Sequence, residues 1–227
     1  MNTSTISVRP LATLKLATFA ALGVALLLLN GCHWAGVRGN GHLTTENRQI
    51  AEFTDLQADG AFRINWVAGP AKLSIRTDSN LLEFIRTESS GGKLHLEWTK
   101  PLRGSHGITV EVSSAALTRV TLNGATRLDA SRLAGSEFYL EANGATRATL
   151  SGAVNAMSGE LNGASRLDAE ELTTKAMEIT LNGAGRANVN ATDALKVDIS
   201  GAGTVTYAGN PQISKTISGA GSVRRRN

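Results

Sequence analysis

Arg127, Arg147, Arg166 and Arg186 each stand three residues after a glycine, and successive ones are separated by 20, 19 and 20 residues. A guanidinium is planar, permanently charged and shaped for carboxylate or phosphate. A file of four could clamp an acidic polysaccharide or the phosphates of lipopolysaccharide. A second reading is a plain solvated face. Asp129 and Asp168 follow Arg127 and Arg166 by two residues, the same side of a strand, where they would offset part of the stacked charge. For sugar hydrolysis or elimination the candidate carboxylates are Asp129, Asp168 and Asp198, but each falls at a polar position of a repeat. General acid–base work on glycosides wants a pair whose environments separate their pKa values, and nothing in the spacing supplies one. The four histidines, His33, His42, His95 and His106, precede the repeats and show no ligand spacing. No Gly-Lys-Ser/Thr loop, nucleophile elbow or HExxH motif occurs. Calcium-binding nonapeptide repeats have another period and need carboxylates where arginine stands here. No metal, cofactor or catalytic residue is therefore expected.

The elements that would position these side chains must be built from small residues. Among 227 residues apolar types make up 41%, charged types 19% and aromatics only 4%, with 24 glycines and 4 prolines. This composition is that of a folded chain, neither disordered nor wholly membranous. The formal charge of +4 resides at the ends: residues 1–31 carry +2, Arg224, Arg225 and Arg226 carry +3, and the remainder is at −1. A basic body that could track nucleic-acid phosphates is absent. One cysteine excludes a disulfide within the chain and any cysteine-clustered zinc site.

A repeat organises the C-terminal half. Leu122-NGATRLDA, Ala142-NGATRATL, Leu161-NGASRLDA, Leu181-NGAGRANV, Ile199-SGAGTVTY and Ile217-SGAGSVRR place their central glycines 18 to 20 residues apart. Alternation with period two on both sides of the glycine predicts strands. Leu128/Ala130, Ala148/Leu150, Leu167/Ala169 and Ala187/Val189 point inward, with large and small exchanging places between neighbours as adjacent layers of one narrow core require. Asn-Gly pairs between alternating runs would suit an antiparallel meander. A right-handed parallel β-helix is the other reading, and the columns favour it. Coil stacking would make an amide ladder of Asn123, Asn143, Asn162 and Asn182. It would also set Ala125, Ala145, Ala164, Ala184, Ala202 and Ala220 in one restricted corner, with glycine at positive φ beside them. The expected fold is thus all-β, a solenoid of 18–20-residue coils.

Residues 42–115 are strand-rich but irregular, and residues 116–227 carry the regular coils, in one continuous domain 42–227. The early strands Ala61–Val67, Lys72–Ile75, Lys93–Trp98 and Ile108–Val112 are expected to cover the open end of the stack. Leu81–Ile85 fits a helical turn or a strand equally. Arginines at the other end discourage edge-to-edge pairing. Trp66 and Trp98 alternate with polar neighbours and read as packing residues. Trp34 could rest at a membrane interface.

Residues 1–31 read as a signal peptide. Arg9 and Lys15 precede the apolar run Leu16–Leu29, fourteen residues that suit an export signal better than a membrane span. The run ends in Leu29-Asn30-Gly31-Cys32, which resembles the lipobox of bacterial lipoproteins, although Asn30 stands where a small residue is usual. The resemblance implies cleavage after Gly31, a lipid on Cys32, and a short tether over 32–41. Two acyl chains give the stable membrane anchoring that one does not. His33 replaces the aspartate that would resemble an inner-membrane retention signal, so the outer membrane is the expected site, facing the periplasm or the cell surface.

The leader, Phe62-Arg63-Ile64…Leu73-Ser74-Ile75…Asn80-Leu81-Leu82, then Gly91-Gly92-Lys93-Leu94-His95-Leu96 and the repeated Asn/Ser-Gly-Ala together resemble one bacterial family, described as putative auto-transporter adhesin, head GIN domain. The likeness runs from about Arg48 to the C-terminus. It implies a secreted or lipid-anchored β-helical envelope domain and transfers no catalytic motif. Three functions follow as expectations. The first is non-catalytic, adhesin-like binding of surface carbohydrate or protein. The second is a polysaccharide lyase or hydrolase on a β-helix, and the third a purely structural envelope component.

Overall fold

Alternation builds the walls of each coil, and its failure at one place turns the corner. Leu122 is buried and Asn123 half-buried, Gly124 and Ala125 are both exposed, and Thr126 is buried again. Gly124 faces outward at the position where the period would turn it in, the chain bends there, and the second arm alternates with the same parity as the first. The computed structural model describes residues 36–103 and 106–226, which are all-β apart from a 3-10 helix at Ser79–Phe84. They form a parallel β-solenoid. Cys32, His33, Trp34 and the leader lie outside the described residues. The described part of the expected tether is tied down, because Val37–Arg38 pairs in parallel with Leu102–Arg103 and Asn40 bonds Ser79 and Asn80.

Long strands Arg127–Gly144, Arg147–Gly163, Arg166–Gly183 and Arg186–Gly201 each run from one corner to the next and pair in parallel with their neighbours. The inward rows are continuous. Leu128, Ala148, Leu167 and Ala187 lie in register, as do Phe138, Met157, Met177 and Leu195, all at most 3% exposed. Each fully buried Leu, Val, Met or Phe contributes about 1.5–3 kcal/mol relative to exposure. A single coil has little to bury them against, so stability resides in the stacking.

The alanine column differs from expectation. Ala125, Ala145, Ala164, Ala184, Ala202 and Ala220 are exposed, and the restricted inner corner belongs to the next residue: Thr126, Thr146, Ser165, Gly185 and Gly203. The glycines do turn at positive φ. Gly144, at φ +105°, would place a Cβ 2.6 Å from the Gly124 carbonyl oxygen below it, so the coils approach too closely there for any side chain.

The N-terminal part stacks out of chain order. Asp55–Gly60 lies between Arg119–Gly124 on one side and Lys93–Trp98 on the other. Phe62–Ala68 likewise lies between Arg127–Ser131 and Ile108–Ser114. The layer of Lys93–Trp98 and Ile108–Ser114 is therefore the last parallel one, although 55–68 precedes it in sequence. Antiparallel strands Lys72–Asp78 and Ile85–Ser90 cover its two edges. At the far end Gln212–Gly219 is exposed throughout, and Lys215 occupies the inward register position of Val197. An inward charge on an edge strand discourages further pairing.

Candidate functional site

The parallel register carries the arginines into one file. Arg127 pairs with Arg147, Arg147 with Arg166 and Arg166 with Arg186. The file has a fifth rung that sequence reading missed, because Arg63 pairs with Arg127. Its signal was present: Asp59-Gly60-Ala61-Phe62-Arg63-Ile64 follows the repeat motif with aspartate for asparagine. Thr109 bounds the file at one end and Thr204 at the other.

All five guanidinium groups are on exposed residues, and among the described residues none has an acidic partner within 4.0 Å. Asp129 and Asp168 share the neighbouring outward column, yet they do not pair with the arginines. Rungs stand about 4.8 Å apart, which costs roughly 1 kcal/mol per neighbouring pair of charges in a water-like dielectric. Arg63, Arg127, Arg147 and Arg166 wall a shallow groove of about 460 Å³, floored by Ala61, Ala125, Ala145 and Ala164. The exposed alanines thus have a geometric consequence: they leave the arginine wall open from the side.

On the other flank of the corner runs the amide ladder. Asn182 Nδ2 donates to Asn162 Oδ1, Asn162 to Asn143 and Asn143 to Asn123, over 2.8–2.9 Å. Asn123 donates in turn to Asp59 Oδ1 at 2.5 Å. Asp59 is an all-acceptor terminus, and His95 Nε2 donates to its other oxygen at 2.5 Å. Burial pushes the Asp59 carboxyl up, but hydrogen bonds from Asn123, His95 and Gln57 outweigh it and hold the group below its ordinary range. His95 is accordingly more than a surface residue.

The candidate catalytic carboxylates are not assembled. Asp129 and Asp168 are separated by Thr149 in one column. Asp198 lies on the opposite arm, 3.7 Å from Lys196. Among the described residues no group of three His, Cys, Asp or Glu could hold a metal, and no helix is long and apolar enough to cross a membrane. Trp66 is 2% exposed and donates to Ser114. Trp98 is only half-buried, packed against the core edge.

A sequence family described as putative auto-transporter adhesin, head GIN domain, matches residues 52–211. A solved putative adhesin from Bacteroides fragilis has 19% identity and a TM-score of 0.71, over 84% of this chain and 100% of that one. One from Parabacteroides merdae has 20% identity and a TM-score of 0.51, over 85% and 100%. A structure from Parabacteroides distasonis, described as a putative lipid binding protein, has 21% identity and a TM-score of 0.53, over 84% and 99%. At these identities the likeness concerns the fold. No curated protein matches.

Proposed function

Because the chain belongs to the family described as putative auto-transporter adhesin, head GIN domain, we propose that it is a non-catalytic envelope adhesin whose arginine file holds an acidic polysaccharide. The family and the adhesin-named structures support an adhesin-like role and an envelope or surface location. The observation that carries the ligand class is the column of five guanidinium groups without an acidic partner, four of which wall the alanine-floored groove. A uronic-acid polymer offers one carboxylate per ring, a repeat commensurate with stacked coils. Each carboxylate engaged relieves the repulsion between rungs and gains a charge-assisted bond. Lipidation of Cys32 would hold the solenoid at the outer membrane, on its periplasmic or outer face. The membrane would then be a second partner, through the lipid alone.

The test is binding of the full chain, in detergent, to polygalacturonate and to alginate. Replacing Arg127, Arg147, Arg166 and Arg186 together by glutamine removes four exposed contacts of about 0.5–1 kcal/mol each. The expected result is an affinity loss of about 30-fold or more with unchanged circular dichroism. Equal binding by the variant overturns the assignment. Radiolabelled palmitate should appear on wild type and not on Cys32→Ser; label on both, or on neither, contradicts the anchor.

A further inference from the structure

The glycine corner column is broken at one rung. Asp59 pairs with Glu97 in register, so the residue opposite Gly60 in the outermost layer is Trp98. Where the other coils carry glycine, this layer carries an indole. A Cβ on Gly60 would lie 3.1 and 3.2 Å from Trp98 Cε2 and Cδ2, so the bond fusing the two rings sits directly above Gly60, and only glycine there leaves the ring room. Trp98 is half-buried, anchored on Phe62 at a centroid separation of 6.4 Å. It closes one end of a second trough, about 580 Å³, whose other walls include Asp59, Glu97 and Asn123 and whose floor is Ala61, Gly124 and Ala125. Ala61 and Ala125 also floor the arginine groove. The two troughs therefore meet across the corner.

We propose that the Trp98 trough is a pyranose subsite that receives the end unit of the polysaccharide lying along the arginines. The chemistry differs from that of the arginine wall. An aromatic face takes up the apolar C–H face of a sugar ring, while the half-exposed Glu97 carboxylate, 3.4 Å from Arg86, accepts from a ring hydroxyl; both Asp59 oxygens are already held by Asn123, His95 and Gln57. A rigid indole with locked surroundings costs little entropy on binding. Trp98 stands at the outermost parallel layer, so a chain running down the corner meets it at a terminus and not in mid-polymer. The subsite thus confers recognition of a sugar end, in addition to charge. It rests on the arginine groove as the polymer's path.

The experiment compares an oligogalacturonide of about six units with polyacrylate, a polyanion without pyranose rings, on the full chain in detergent. Wild type is expected to bind the oligogalacturonide more tightly than a polyacrylate of matched charge. Trp98→Leu should weaken oligogalacturonide binding about three- to tenfold and leave polyacrylate binding unchanged, with Trp98→Phe retaining part of the sugar preference. If wild type binds both polymers but Trp98→Leu does not separate them, the subsite is refuted and the arginine reading stands. If wild type binds neither, the arginine reading fails and the subsite falls with it.

Discussion

Gly144→Ala tests the close stacking on which every column depends. The added methyl would sit 2.6 Å from the Gly124 carbonyl oxygen, at a backbone φ of +105°. The conformation alone costs about 1–3 kcal/mol for an L-residue. Relieving the collision must separate the coils and stretch the Ala145 N–H bond to Gly124 O, now 2.9 Å, which adds about 1 kcal/mol. The expected destabilisation is about 3 kcal/mol, or roughly 6–12 °C in Tm for a unit of this size. Gly91→Ala is the matched control. Gly91 also has positive φ, +59°, but a Cβ there meets nothing within 4 Å, so about 1–2 kcal/mol of conformational strain is all that remains. Urea denaturation followed by far-ultraviolet circular dichroism measures both. Equal losses for the two variants would refute the close approach of coils at this corner.

Asn143 both donates to Asn123 and Glu141 and accepts from Asn162, so Asn143→Ala should cost about 1–2 kcal/mol in the same assay, against less than about 0.5 kcal/mol for the exposed Ala145→Ser. Asp59 has its folded pKa held below the ordinary 3.8; its stabilisation is complete above that value and is lost as pH falls through the lowered one. Asp59→Asn should therefore flatten the acid limb of stability below about pH 4, and an unchanged limb would contradict the assignment. Lys215→Ile removes the charge between exposed Ile213 and Ile217 and should promote concentration-dependent self-association in sedimentation velocity, whereas Lys215→Glu should not.

What was legible in the sequence was whatever repeats. Period-two alternation around a recurring Asn-Gly-Ala specified inward rows such as Leu128 and Ala148, the asparagine ladder and the arginine file, because parallel stacking converts sequence periods into columns. The corner itself was misjudged. Alternation carries through the corner with its parity intact, Leu122, Thr126 and Leu128 all being buried, and the departure is confined to Gly124, which faces outward where the period would turn it in. Strict alternation thus already exposes Ala125 and buries Thr126, whereas the recurring alanine suggests a packed corner one residue too early. The order of the first layers had no local signal, since strands 55–68 and 93–114 choose their neighbours by long-range packing and share only part of the motif. Arg63 was recoverable from Asp59-Gly60-Ala61, whereas Trp98 reads as an alternating strand residue until the register sets it opposite Gly60.

The most direct test of the account is the salt dependence of polygalacturonate affinity across a series that removes Arg186, Arg166, Arg147 and Arg127 one at a time. If the rungs act as equivalent charge contacts, each removal lowers the slope of log affinity against log salt by a similar increment, of order one per contact by analogy with nucleic-acid polyanions. A slope that stays at its wild-type value through the whole series would contradict it.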